Sequence, residues 1–191
     1  GDDQANSVVI EADGRIVAGG YADSGQFALA RYLPDGTLDT SFGDYGKVVT
    51  SEANEIRGLA IQPDGQIVVA GRRRPVPGAA TDSDFALARY LPDGSIDRGF
   101  GNSTDGIVAV DFGSHKDAAN ALLLQGDGKL VAAGLCVSNR TEGKNFGLVR
   151  LNPDGSLDTS FDASLRRDGG SGMKVLTAGT YGPMYYLVSL G

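Results

Sequence analysis

Cysteine and histidine are almost missing from this chain, with Cys136 and His115 the single residue of each kind. One cysteine excludes an internal disulfide framework and any cysteine-built zinc site. One histidine excludes the familiar multi-histidine metal centres, so no metal site is expected from these residues. Tryptophan is absent, and no apolar run approaches the length of a membrane-spanning helix. No secretory leader pattern is present, and the chain opens on Gly1-Asp2-Asp3 part-way through a repeat, as a processed or truncated boundary would. Basic charge is scarce too: 17 Lys and Arg against 24 Asp and Glu leave a net charge of −7. Without a broad basic field to neutralise phosphates, neither nucleic acid nor membrane insertion is expected.

Glycine is what the chain has in plenty, 29 of 191 residues, roughly twice ordinary usage. It follows no Gly-x-y period, which excludes collagen, and falls instead at turns between short apolar runs. Those runs repeat. SVVIEADGRIVAGG, RGLAIQPDGQIVVAG and NALLLQGDGKLVAAG open three units; FALARYLPDGTLDTSFG, FALARYLPDGSIDRGFG and FGLVRLNPDGSLDTSF follow; GKVVT, GIVAV and MKVLT close them. Gly14, Gly65 and Gly128 align, as do Phe27, Phe85 and Phe146, and Gly36, Gly94 and Gly155. The spacing predicts one repeat domain over 1–191, with units near 4–50, 51–110 and 111–177 and a tail or extra strand over 178–191.

Each unit reads as four short strands: residues 8–10, 59–61 and 122–124; 16–18, 67–70 and 130–133; 27–33, 85–91 and 146–151; 47–50, 107–110 and 174–177. Asp-Gly between apolar runs marks the first hairpin and Pro-Asp-Gly the second. A lone four-stranded unit cannot bury both sheet faces, whereas stacked units can. The fold class is therefore all-β, with blades of four antiparallel strands arranged radially as in a β-propeller. Phe42, Phe100 and Phe161 are expected to plug the core between blades.

The PDG-(T/S)-(L/I)-D-x-x-F-G signature, preceded by IVxAG, resembles the delta-60 repeat family of bacterial β-propeller-like modules. The resemblance runs over residues 4–177 and implies a fold, and a secreted or cell-surface setting, but no particular chemistry. The third copy departs from it where Asp162 replaces glycine after Phe161. Three repeats are fewer than the usual four-blade minimum, and the repeat order implies a chain that opens on a second strand and ends past a first one, Met173–Thr177. A homo-oligomer, most simply two chains forming a six-bladed ring, is the expected resolution.

Up-and-down connectivity places the Asp-Gly and Pro-Asp-Gly turns at one end of the blades and the loops of uneven length at the other, where binding is expected. That second end gathers the candidate residues. Ser114, His115 and Asp117 share a loop and Cys136 opens the next, a set with the ingredients of acyl transfer. Arg72, Arg73 and Arg74 form a candidate anion or acidic-sugar contact, since guanidinium binds carboxylate bidentately. The repeated acids Asp35, Asp39, Asp93, Asp97, Asp154 and Asp158 serve as turn residues, with calcium as the alternative cofactor. Two functions follow. One is a non-catalytic binding or scaffold module that contacts protein or glycan through the variable-loop face. The other is a hydrolase of ester or glycosidic bonds, with its site at the ring centre or between chains.

Overall fold

A computed structural model describes residues 1–23, 25–74, 83–112, 116–137, 144–161 and 173–176. The expected strand at 185–190 and the tail from 178 lie outside them. Eleven strands run in chain order among the described residues: β1 (Gln4–Ile10), β2 (Ile16–Ala22), β3 (Gln26–Tyr32), β4 (Lys47–Ile61), β5 (Ile67–Arg73), β6 (Asp84–Tyr90), β7 (Ile107–Val110), β8 (Lys116–Leu124), β9 (Leu130–Val137), β10 (Lys144–Leu151) and β11 (Met173–Leu176). All neighbouring pairs are antiparallel. No helix among these residues is long and apolar enough to cross a membrane.

The strands form two sheets, one of seven strands in the order β1 to β7 and one of four in the order β11-β10-β9-β8. Each repeat contributes one four-stranded unit, or blade, and the first two units share β4. Residues 47–50 of β4 pair with β3 as the fourth strand of the first blade. Residues 58–61 pair with β5 as the first strand of the second. From the repeat pattern one strand is expected to end at Thr50 and the next to begin at Leu59. The chain instead stays extended across both blades, changing register between Asn54 and Gly58, where Glu55 has a positive φ of 58°. The offset expected at the chain ends is also corrected. β1 is itself the first strand of the first blade, and β11 pairs with β10 as the fourth strand of the third.

Each first strand carries an irregularity at the same repeat position, at Ala5/Ser7, Asn54/Gly58 and Ala119/Ala121. Opposite it stands a glycine for a steric reason. A β-carbon on Gly20, Gly71 or Gly134 would overlap the carbonyl oxygen of Gln4, Glu55 or Ala118. The IVxAG pattern is thus the imprint of this close approach.

Two apolar cores lie between the blades. The first joins Val17, Phe27, Leu29 and Phe42 to Ile56, Leu59, Ile67, Val69 and Tyr90. The second joins Val68, Ala70, Phe85, Leu87 and Phe100 to Leu130, Ala132, Cys136, Val149 and Leu151. Strand β5 shows the period-2 logic: Ile67 and Val69 face the first blade, Val68 and Ala70 the third. Phe42 and Phe100 are fully buried in these cores, as the repeat pattern anticipates.

A polar staple accompanies each core. Phe42 of the first blade lies against the turn glycine Gly94 of the second, and Phe100 lies against Gly155 of the third. Arg31 and Arg89 stack on those rings, 4.5 and 4.8 Å from the centroids. Each guanidinium also donates to the next blade's turn, Arg31 to the Pro92 carbonyl and Arg89 to that of Pro153 at 2.8 Å. The Gly43 and Gly101 N–H groups donate to the carbonyls of Asp93 and Asp154 at 2.7 and 2.8 Å.

Candidate functional site

The turn end of the blades uses its acids structurally. Asp35, Asp93 and Asp154 each accept from the backbone N–H and the hydroxyl two residues on, at 2.9 and 2.6 Å. Asp39, Asp97 and Asp158 accept from the Nε of Arg31, Arg89 and Arg150 at 2.9, 2.9 and 2.7 Å. Hydrogen bonds from Thr37, Ser95 and Ser156 hold the first three carboxyls below the ordinary range, and Ser41 does the same for Asp39. At Asp97 and Asp158 burial pushes the other way, but hydrogen bonds and the arginines outweigh it. These oxygens serve turns and blade contacts, the arrangement that the turn reading of these acids requires.

A depressed folded-state pKa means stability that is present above the unfolded value, near 4, and lost as pH falls through the folded one. Glu11, raised by burial, acts in the opposite sense as a single group. Urea unfolding should therefore show stability level from pH 7 to about 5 and falling steadily below about 4. A midpoint unchanged down to pH 3 would refute the role assigned to these carboxylates.

At the opposite end the structure brings two of the candidates together. Ser114 and His115 lie outside the described residues. Asp117 and Cys136 are register partners on β8 and β9, and both are buried. Asp117 accepts from the Phe112 N–H at 3.0 Å. Burial pushes the Cys136 thiol far above its ordinary pKa, and the adjacent Asp117 carboxylate raises it further. Since the thiolate is the nucleophile, this environment is the reverse of an activating one. Cys136 is a core residue of the second interface. In the native protein it should resist a disulfide-exchange reagent at pH 8 and react only at the rate of unfolding; stoichiometric labelling within seconds would overturn this.

Asp117 has neighbours that the sequence reading missed. Carboxylate oxygens of Asp84, Asp111 and Asp117 lie within 4.8 Å of one another. No repeat signal marks Asp84 or Asp111, because the equivalent positions hold Gln26 and Ser51 in the first unit. The donor set is all oxygen, the type that suits a hard cation, but it is well short of the six to eight ligands calcium takes.

The three arginines diverge. Arg73 pairs with Asp105 at 2.8 Å. Arg72 and Arg74 line a depression of about 240 Å³ with Tyr21, Gly25, Asn54 and Glu55. Glu55 is placed there by the β4 irregularity and by its N–H bond to the Gly25 carbonyl at 2.9 Å. Its two oxygens take Arg57 at 3.0 Å and Arg72 at 3.1 Å. The Arg72 Nε is buried without a hydrogen-bond partner among the described residues. Arg74 is exposed and has no ion pair among the described residues. The depression is thus cationic on balance, although the chain is acidic overall.

No curated protein is significantly similar to the chain. Residues 11–42, 62–100 and 125–161, more than half of its length, match one family, and each matched segment runs from the first hairpin of a blade to its phenylalanine plug. With three blades built on that one plan, the chain belongs to the family described as domain of unknown function (DUF5122) beta-propeller.

Proposed function

We propose that the chain is a non-catalytic binding module whose variable-loop end takes an acidic group of a glycan or protein between Arg72 and Arg74. The observation that carries this reading is the Arg72 Nε, buried and unpartnered beside the exposed Arg74 in a ready depression. Guanidinium is suited to carboxylate because its paired N–H groups match the two oxygens. Glu55 orients Arg72 from one side and leaves its Nε without a partner. The resemblance to delta-60 repeats supports a secreted or cell-surface setting, where acidic polysaccharides are available ligands.

Calorimetric titration with a polyuronate oligosaccharide, against its neutral counterpart, tests the reading. Binding of the acidic sugar alone is expected, with Kd raised at least about tenfold in an Arg72→Ala/Arg74→Ala variant. Equal binding of both sugars, or none, would refute it. The rival reading, a hydrolase of esters or glycosides, would be established by turnover of chromogenic substrates that disappears on His115→Ala with the fold retained.

A further inference from the structure

The two blade interfaces within the chain leave an unused half at each end, and the halves match. On the first blade, Val9 and Val48 pack into the first core, so Val8, Ile10 and Val49 point the other way, 63, 70 and 55 % exposed. Leu59, the repeat equivalent of Val8, is buried against a preceding blade. On the third blade, Leu122, Leu124, Val149 and Leu151 face the second core. Leu123 and Phe146 face outward, 63 and 60 % exposed, although the equivalents of Phe146, Phe27 and Phe85, are buried. Phe146 borders an apolar groove of about 450 Å³ with Ala121, Ala133 and Leu135.

The staple is unpaired in the same sense. Arg150 binds Asp158 and stacks 4.6 Å over Phe161, the assembled plug of a third interface. Among the described residues this plug meets no turn glycine, and Arg150 reaches no following proline carbonyl. The Gln125 Oε1 is buried with no partner among the described residues, whereas the equivalent Gln62 donates to Pro153 and accepts from Arg89. At the other end Gly36, the counterpart of Gly94 and Gly155, has no atom within 4 Å of where a β-carbon would stand. The third blade offers a plug and the first an empty socket.

We propose that a second copy of this chain docks head to tail, the third blade of each on the first blade of the other, closing a six-bladed ring. Phe161 then sits on the partner's Gly36, Arg150 donates to the Pro34 carbonyl of the partner subunit, Phe146 covers the partner's Gly20 as Phe27 covers Gly71, and the partner's Val8 packs on Ala133 and Leu148 as Leu59 packs on Gly19 and Leu29. Six is the only multiple of three in the usual range of four to eight blades, so two copies close and growth stops.

Sedimentation of the 191-residue chain at micromolar concentration is expected to give twice 19.7 kDa. Phe146→Asp and Val8→Asp should each weaken the dimer at least about 100-fold, by placing a charge in a desolvated contact. Both sites are exposed within one chain, so the circular-dichroism spectrum should be unchanged. Gly36→Leu should dissociate the dimer likewise, by filling the socket. Mixing Phe146→Asp with Val8→Asp should restore some dimer, because one of the two contacts is then wild type at both faces. A wild-type monomer at 100 µM, as when the chain's own tail covers the third blade, would overturn the proposal. So would a mass that grows with concentration, a dimer indifferent to these substitutions, or a mixture that stays monomeric.

Discussion

Replacing Gly155 with alanine is expected to lower the unfolding free energy by about 3 kcal/mol, of which roughly 1–2 come from the backbone and the rest from overpacking. Its φ of 87° is in the left-handed region, where a β-carbon meets the chain's own carbonyl. The new methyl would also stand 2.6 Å from two atoms of the Phe100 ring and 2.7 Å from the Gly101 nitrogen. Neither can retreat, because Phe100 is fully buried under Arg89 and the Gly101 N–H is bonded to the Asp154 carbonyl. Gly36 is the internal control. It shares the backbone conformation, with φ 85°, but has open space around it. Gly36→Ala should therefore cost only the backbone part, about 1 kcal/mol within one chain. Urea unfolding of both, in the monomeric Val8→Asp background so that assembly does not enter, measures the difference. Equal costs would show that glycine is present only for its turn and that the plug contributes nothing.

The second large effect separates equivalent phenylalanines. Phe85→Ala should cost about 3–5 kcal/mol, as for other buried aromatic truncations. Phe85 is wholly buried, packs edge-on against Phe112 with ring centroids 4.8 Å apart, and lies over Gly147 of the next blade. Phe146→Ala, in the same background, should cost under about 1 kcal/mol, because an exposed ring has little apolar contact to lose. The two residues occupy one repeat position, so the contrast isolates the effect of a following blade. A loss above 2 kcal/mol at Phe146 would mean that this face is already covered within the chain.

These predictions show where sequence reading succeeds. The Asp-Gly and Pro-Asp-Gly turns, the strand pairs and the phenylalanine plugs were legible because each repeats three times and each follows a local rule. Gly14, Gly65 and Gly128, with φ of 82–87°, are turn glycines recognisable from their flanking apolar runs alone. The shared strand β4 was not legible. A break was expected between the two repeats, and nothing local reveals that residues 51–57 carry one strand from the first blade into the second within a single seven-stranded sheet. For Cys136 a buried filler was the default expectation, but the burial of Asp117 beside it was not legible. Their chemistry follows from that burial, and burial depends on a blade packed from outside the strand.

By itself the sequence determined the all-β class, the three units, their turns and their order, because turns and alternation are properties of a few consecutive residues. Only the tertiary structure decided what the repeated residues are for. An arginine and an aspartate eight positions apart become a blade-to-blade staple when the next turn supplies a carbonyl. An Arg-Arg-Arg run divides into a structural ion pair at Arg73 and a cationic depression at Arg72 and Arg74, according to which acid the neighbouring strands bring near. Val8 and Phe146 are exposed for the same reason, since their burial depends on a blade that is not part of their own sheet.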